Sequence, residues 1–217
     1  MTTNLLRAAQ WVIALTLLVA ASAASAQTTG DAERGEVLAY TCLGCHGIEG
    51  YRNAYPAYRV PKLGGQHDAY LQIALKAYRS GERSHATMKA QAGSLSDQDI
   101  ADLAAYFAGQ EPLSESETVT SRVKEGKEKS QTCAACHGEN GVSNNPIWPN
   151  LAGQHKDYLA NALGQYRLAN AEKTGGENVR KNAVMAGLAA ALTDDDIEAL
   201  AAYFAAQDGL YTPAKAR

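Results

Sequence analysis

Cys42-Leu43-Gly44-Cys45-His46 recurs 91 residues later as Cys133-Ala134-Ala135-Cys136-His137, and this pair of pentapeptides decides how the rest of the chain is read. The spacing puts two thiols on one turn of helix, where both can add across the two vinyl groups of a haem. The adjacent histidine then points its imidazole at the iron, which is the pattern of c-type haem attachment. A lone Cys-x-x-Cys is open to zinc, a redox disulfide or chance; two copies, each closed by histidine, are far more specific. The chain has four cysteines and the motifs use all of them, so no thiol is left for a disulfide or a second metal.

The similarity extends well beyond the motifs. Gly35 and Gly126 each precede their first cysteine by seven residues. Pro61-Lys62-Leu63-Gly64-Gly65-Gln66-His67 matches Pro149-Asn150-Leu151-Ala152-Gly153-Gln154-His155 at an offset of 88, and so do Tyr70-Leu71, Ala74-Leu75 and Tyr78-Arg79 with their counterparts. Leu95-Ser96-Asp97 through Ala108 matches Leu192-Thr193-Asp194 through Ala205 at an offset of 97. The drift locates the length changes. The first copy has three extra residues between its haem motif and Gly-Gln-His, and the second has nine extra before its methionine, around Glu172 to Asn182. Two homologous domains follow, 27–112 and 113–217, joined by a polar segment near Gln110 to Arg122.

Each copy reads as all-α. Ser96 with Asp99, and Thr193 with Asp196, look like capping-box starts. Apolar residues then recur at helical spacing: Ile100, Leu103, Ala104, Phe107, and Ile197, Leu200, Ala201, Phe204. Tyr70 to Tyr78 and Tyr158 to Tyr166 form a second helix with one apolar face. A first helix leads into each haem motif and contains Gly35 or Gly126. Glycine there costs about 1 kcal/mol relative to alanine, and its recurrence predicts close packing against the final helix.

Arg7, the apolar run Trp11 to Ala21 and Ala24-Ser25-Ala26 read as a signal peptide, 1–26, cleaved after Ala26. The run falls short of the ~20 residues a bilayer span needs, so an uncleaved anchor is the lesser reading. The mature chain is expected to be periplasmic and not integral to the membrane, with loose membrane association left open. Each mature half carries a formal charge of −2. That is no nucleic-acid footprint and gives no polarised docking face.

A haem iron held by one histidine either stays open for chemistry or is closed by a second side chain for electron transfer. Outside the signal peptide the methionines are Met88 and Met185, each placed in a small-residue loop between the tyrosine helix and the capped final helix of its copy. Core filling is the ordinary role of methionine; equivalent placement favours thioether ligation. His67 and His155 are read as structural or solvent-facing rather than as ligands, and His85 as a surface histidine. Arg79 and Arg167 could reach haem propionates, and Tyr78 and Tyr166 could line the haem edge, or all four could be ordinary packing or solvated charge. Histidine ligands usually donate their second nitrogen to a carbonyl. The candidates to shape that loop are Pro56, Pro61, Pro146 and Pro149.

With the two Cys-x-x-Cys-His motifs, the two late methionines, the Pro-x-Leu-x-Gly-Gln segments and the Ala-Ala-Tyr-Phe-Ala helices, the chain resembles the dihaem cytochromes c4 over its whole mature length. The resemblance implies two tandem class I cytochrome c domains related by pseudo-twofold symmetry, with haem propionates near each other at the interface. It implies Cys42, Cys45, His46 and Met88 for one haem c, and Cys133, Cys136, His137 and Met185 for the other. It also implies a periplasmic electron carrier between a membrane-bound donor such as a bc1-type complex and a terminal oxidase, often of the cbb3 type. Two other readings stay open: an electron-transfer subunit of a larger dehydrogenase, and a peroxidase-like enzyme, which would need one copy to lack its sixth ligand. No Gly-rich nucleotide motif is present, so neither flavin nor nicotinamide is expected on this chain. The longer, tyrosine-rich loop from Tyr51 to Val60 puts close equivalence of the two haem edges in doubt.

Overall fold

The computed structural model describes residues 29–54, 57–110, 118, 121–170 and 180–213. The expected signal peptide, Pro56, most of the polar linker and most of the insertion after Ala171 lie outside them. Helix α1, Ala32–Leu38, starts where the Asp31 carboxylate accepts from the Glu33 and Arg34 amides. After the single residue Ala39 the chain enters α2, Tyr40–His46, which carries the first haem motif. Then come α3, Asp68–Ser80, stopped by left-handed Gly81, α4, Ala86–Gly93, and α5, Asp97–Ala108. The second copy repeats the order as α6, Val123–Lys129, α7, Gln131–His137, α8, Lys156–Asn170, α9, Ala183–Ala189, and α10, Asp194–Ala205. Among the described residues extended pairing is limited to isolated bridges. Among the described residues the fold is all-α, as two tandem halves with the same order of helices.

Both predicted capping boxes form. Asp99 N donates to Ser96 Oγ at 3.1 Å while Ser96 N donates to the Asp99 carboxylate at 2.9 Å, and Thr193 and Asp196 repeat the exchange at the same distances. These reciprocal bonds satisfy orphan donors and fix where the final helix begins. Its apolar stripe then fills the core: Leu103 and Phe107 meet Leu43 and Leu71 in the first half, and Leu200 and Phe204 meet Leu159 in the second.

The glycine crossing also holds in both copies. A Cβ on Gly35 would lie 2.0 Å from the Asp102 carbonyl oxygen, and one on Gly126 would lie 2.0 Å from that of Ala199. Helices α1 and α6 therefore cross the final helices at a backbone-to-backbone distance that only glycine permits.

The methionines depart from expectation. They sit not in loops but in the first turns of α4 and α9, whose Ala-rich sequences are too short to show a period yet rank high in helix propensity. Met88 N donates to Nδ1 of His85 at 3.2 Å, and Met185 N donates to Oδ1 of Asn182 at 3.0 Å. His85, expected on the surface, is half-buried as the cap of the methionine helix and packs edge-on to Tyr78.

The two halves meet through equivalent residues. Gln66 of the first grips Asn150 of the second, accepting from its N–H at 2.9 Å and donating to its carbonyl at 3.0 Å. Gln154 grips Lys62 in the same way, both bonds 2.9 Å. Residues 62 and 150, like 66 and 154, are counterparts at offset 88, so the exchange is that of a pseudo-twofold axis. Arg83 and Arg180, themselves counterparts, form an antiparallel bridge across it. The tyrosine-rich loop reaches over as well: Arg59 Nε pairs with Asp157 at 3.1 Å, Arg52 with the same carboxylate at 3.0 Å, and buried Tyr58 lies 6.1 Å from the Tyr158 ring. Past α10, Tyr211 exchanges backbone bonds with Gly64 of the first half.

Gly35→Ala should destabilise the folded protein by at least the roughly 1–3 kcal/mol typical of overpacking, because the new methyl meets backbone. Gly164→Ala, in the middle of α8 with open space around it, should stabilise by about 0.5–1 kcal/mol. Thermal unfolding of the two variants checks both signs.

Candidate functional site

His46 and His137 are the last residues of α2 and α7, and both are buried. Their Nδ1 atoms lie 2.8 Å from the carbonyl oxygens of Pro61 and Pro149. A carbonyl can only accept, so each ring donates from Nδ1 and presents Nε2 as the coordinating nitrogen. Burial lowers both imidazole pKa values, against the opposing pull of the proline carbonyl, which keeps the rings neutral as a metal ligand must be. Of the four candidate prolines, the structure selects the one opening the Pro-x-Leu-x-Gly-Gln segment in each copy.

Cys42, Cys45, His46 and Met88 line a cavity of about 730 Å³ that continues into the second half, where Cys133, Cys136, His137 and Met185 line it equivalently. Every residue expected at a site is thus brought to one continuous space. The four thiols form no disulfide, and burial raises the pKa of Cys42 and of Cys133. Leu71, Leu103 and Phe107 face the space from the first half, and Leu159, Leu200 and Phe204 from the second. Two soft sulfur-and-imidazole donor sets in apolar walls suit a large, flat, apolar metal cofactor.

Of the roles left open for Arg79 and Arg167, packing is the one the hydrogen bonds show. Arg79 is turned away from the cavity, donating to the Leu95 carbonyl at 2.8 Å and to Asp97 at 2.5 Å; Arg167 does the same with Leu192 and Asp194 at 2.9 and 2.6 Å. Both clip the tyrosine helix to the start of the final helix. Among the cations that line the cavity are Arg83 and Arg180, which the sequence reading passed over. Arg83 donates to the hydroxyls of Tyr158 (2.6 Å) and Tyr70 (3.2 Å) and lies 4.5 Å from the centre of the Tyr78 ring. Arg180 donates to Tyr158 at 3.0 Å and to Gln165 at 2.9 Å. Among the described residues phenols and an amide, not carboxylates, meet the two guanidiniums, and Nε of Arg83 is buried without a partner. Burial would raise the Tyr158 pKa, but Arg180 and Arg83 outweigh it and bring the phenol down to about 8. Buried Arg180, half-buried Arg83 and an orphaned N–H at the interface fit the carboxylate edge of a haem. The signal was available: the two arginines stand five residues before their methionines, at the shared offset of 97. Tyr78 and Tyr166 do line the cavity.

His67 and His155 stay clear of the ligand positions. Nε2 of His67 donates to the Ser143 carbonyl of the other half at 2.9 Å, and His155 is buried at the head of α8. Their role is structural.

The family model described as Cytochrome c matches residues 32–110 and again 123–207. Cytochrome c4 of Stutzerimonas stutzeri is 33% identical over 211 residues, covering 88% of this chain and 96% of that protein. A protein of the same species named thiosulfate dehydrogenase electron acceptor is 30% identical over 205 residues, covering 89% and 91%. The crystal structure of reduced recombinant cytochrome c4 from Pseudomonas stutzeri superposes with a TM-score of 0.67 at 32% identity, covering 82% of this chain and 100% of that one.

Tyr158→Phe removes the hydroxyl shared by two guanidiniums and should lower the unfolding free energy of the haem-loaded protein by about 1.5–3 kcal/mol, the range for bonds to charged groups. Tyr70→Phe, which loses one longer bond, should cost less. Denaturant titrations of the two variants make the comparison.

Proposed function

The chain belongs to the cytochrome c family as a two-domain, cytochrome c4-type electron-transfer protein with two covalently attached haem c groups, and from that membership we propose a ligand set for each haem and a place for the protein in a respiratory chain. Cys42 and Cys45 would hold the first haem by thioether bonds, with His46 and Met88 as the ligands of its iron. Cys133, Cys136, His137 and Met185 would do the same for the second. The domains divide as 27–112 and 113–217, behind a signal peptide cleaved after Ala26. The protein is exported to the periplasm and carries electrons from a membrane-bound donor such as a bc1-type complex to a terminal oxidase such as the cbb3 type.

The observation that carries the ligand set is its duplication. In both halves a neutral histidine anchored to a proline carbonyl and a methionine on a short capped helix line the cavity at equivalent positions. Bound haem supplies a one-electron couple. The chain supplies two ligands per iron, apolar walls that exclude water, and the pair Arg83 and Arg180 to neutralise propionates. Electron transfer is served by ligands that hardly move between redox states: each histidine ring is tied to a backbone carbonyl, and each methionine sits in the first turn of a capped helix.

A second reading concerns the partner alone. The relative named thiosulfate dehydrogenase electron acceptor covers nearly the whole chain, which supports a role as the electron-accepting partner of a periplasmic dehydrogenase with the same two sites. Reduction assays with membranes from the native host, set beside the mass of the native purified complex, separate the two: oxidase-linked turnover by a free protein supports the first, and co-purification with a dehydrogenase the second.

Two outcomes test the ligand set. The reduced protein should bind little carbon monoxide at neutral pH. Met88→Ala or Met185→Ala should each open one site to it and remove that haem's share of the weak far-red sulfur–iron band; rapid binding by the unmodified protein would overturn the assignment. A redox titration should resolve two one-electron steps, both at positive potential, because the same ligands sit in different loops. A single wave would mean that the two environments are equivalent.

A further inference from the structure

Each axial histidine is hydrogen-bonded to a peptide group whose other end is held by the opposite half. The acceptor for His46 is the carbonyl of Pro61, and the N–H of the same peptide unit belongs to Lys62. That N–H donates to Oε1 of Gln154, 2.9 Å away in the second half. The mirror arrangement runs from His137 Nδ1 to the Pro149 carbonyl, and from the Asn150 N–H of that peptide to Oε1 of Gln66 at 2.9 Å. The amide orientation of both glutamines is set by chemistry, since each Nε2 faces a carbonyl that can only accept and each Oε1 an N–H that can only donate. Gln66 and Gln154 are 5% and 4% exposed, so water does not compete for these bonds.

We propose that Gln154 sets the electron-donating strength of His46, and Gln66 that of His137, through these peptide relays, so that each half tunes the reduction potential of the other half's haem. The inference rests on the ligation proposed above. A peptide whose N–H is hydrogen-bonded is polarised and becomes a better acceptor at its carbonyl, by about 10–30% per bond in condensed-phase estimates. A stronger acceptor draws the Nδ1 proton, gives the imidazole more imidazolate character and stabilises ferric over ferrous iron. Withdrawing the glutamine acceptor does the reverse and raises the potential. Gln66 and Gln154 are positioning residues: although both line the cavity, they act on the ligand through the peptide that holds it.

The effect is crosswise, which separates it from local disturbance. In the haem-loaded protein, Gln154→Met should raise the potential of the N-terminal haem, with a change in its reduction equilibrium of up to about tenfold, or 59 mV for one electron. The C-terminal haem should stay put. Gln66→Met should do the opposite. Redox titration followed by NMR, with the two axial methionine methyl signals read separately, assigns each step to its haem. In the reduced variant the His46 Nδ1 proton should move upfield, as a weakened hydrogen bond does, while that of His137 is unchanged. Gln154→Asn, polar but too short to span Lys62, should shift the same haem in the same direction and serves if the methionine variant does not fold. A shift confined to the haem of the mutated half, equal shifts in both, or none while the His/Met spectra are intact would overturn the relay and leave the ligation standing. Failure of the ligation itself would show in the unmodified protein, as a missing sulfur–iron band.

Discussion

A carbonyl oxygen lying where a side chain would begin sets the geometry of each half. With Gly35 against Asp102 and Gly126 against Ala199, the first and last helices cross as closely as two backbones can. That crossing aims α2 and α7, which follow after a single residue, so that their terminal histidines face inward rather than along the surface. The capping boxes fix where the final helices start and therefore which of their residues meet the glycine. The apolar stripe, the histidine direction and the proline loop that answers it all follow from a contact in which the absence of a side chain is the working part.

What could be read in the sequence was what neighbouring residues decide. Haem attachment, both caps, the glycine crossings and the equivalence of Met88 and Met185 depend on spacing within one copy, and repetition removed the ambiguity that a single copy leaves. What the sequence left open or missed has a common physical origin. Arg79 and Arg167 follow the conspicuous tyrosines but are taken up by carbonyls at the start of the final helix, whereas Arg83 and Arg180 gain their importance from phenols that other helices supply. His85 looked like a surface residue because its partner is the amide of Met88, a bond visible only once that segment is known to be helical. Pro61 and Pro149 could not be told from their neighbours because the choice rests on where an imidazole ends up in space.

The copies have diverged where they are not tied to the axis. Asp102 is fully buried and accepts from Asp31 N at 2.8 Å and Gln98 at 2.7 Å, with Arg34 completing its shell; its counterpart Ala199 needs none of this. Burial raises the Asp102 pKa, but those donors outweigh it and hold the carboxylate ionised. The first copy therefore keeps a polar network where the second keeps a methyl, and replacing such networks by apolar residues is often neutral. The three extra residues of the tyrosine-rich loop carry Arg52, Tyr58 and Arg59 onto the second half. Partly exposed ion pairs of this kind contribute little stability; their effect is to make the two haem edges different from outside.

Because Gln66 holds Asn150 as Gln154 holds Lys62, the buried faces of the two halves are the same patch used twice, the isologous arrangement by which identical subunits form closed dimers. Such a face also fits its counterpart on another molecule. Nothing in its chemistry tells the attached partner from a stray one. The discrimination comes from covalent connection, since a short tether holds the attached half at an effective concentration in the millimolar range, far above that of any free neighbour. The polar residues between Gln110 and Arg122 thus act as a specificity element without having to touch anything.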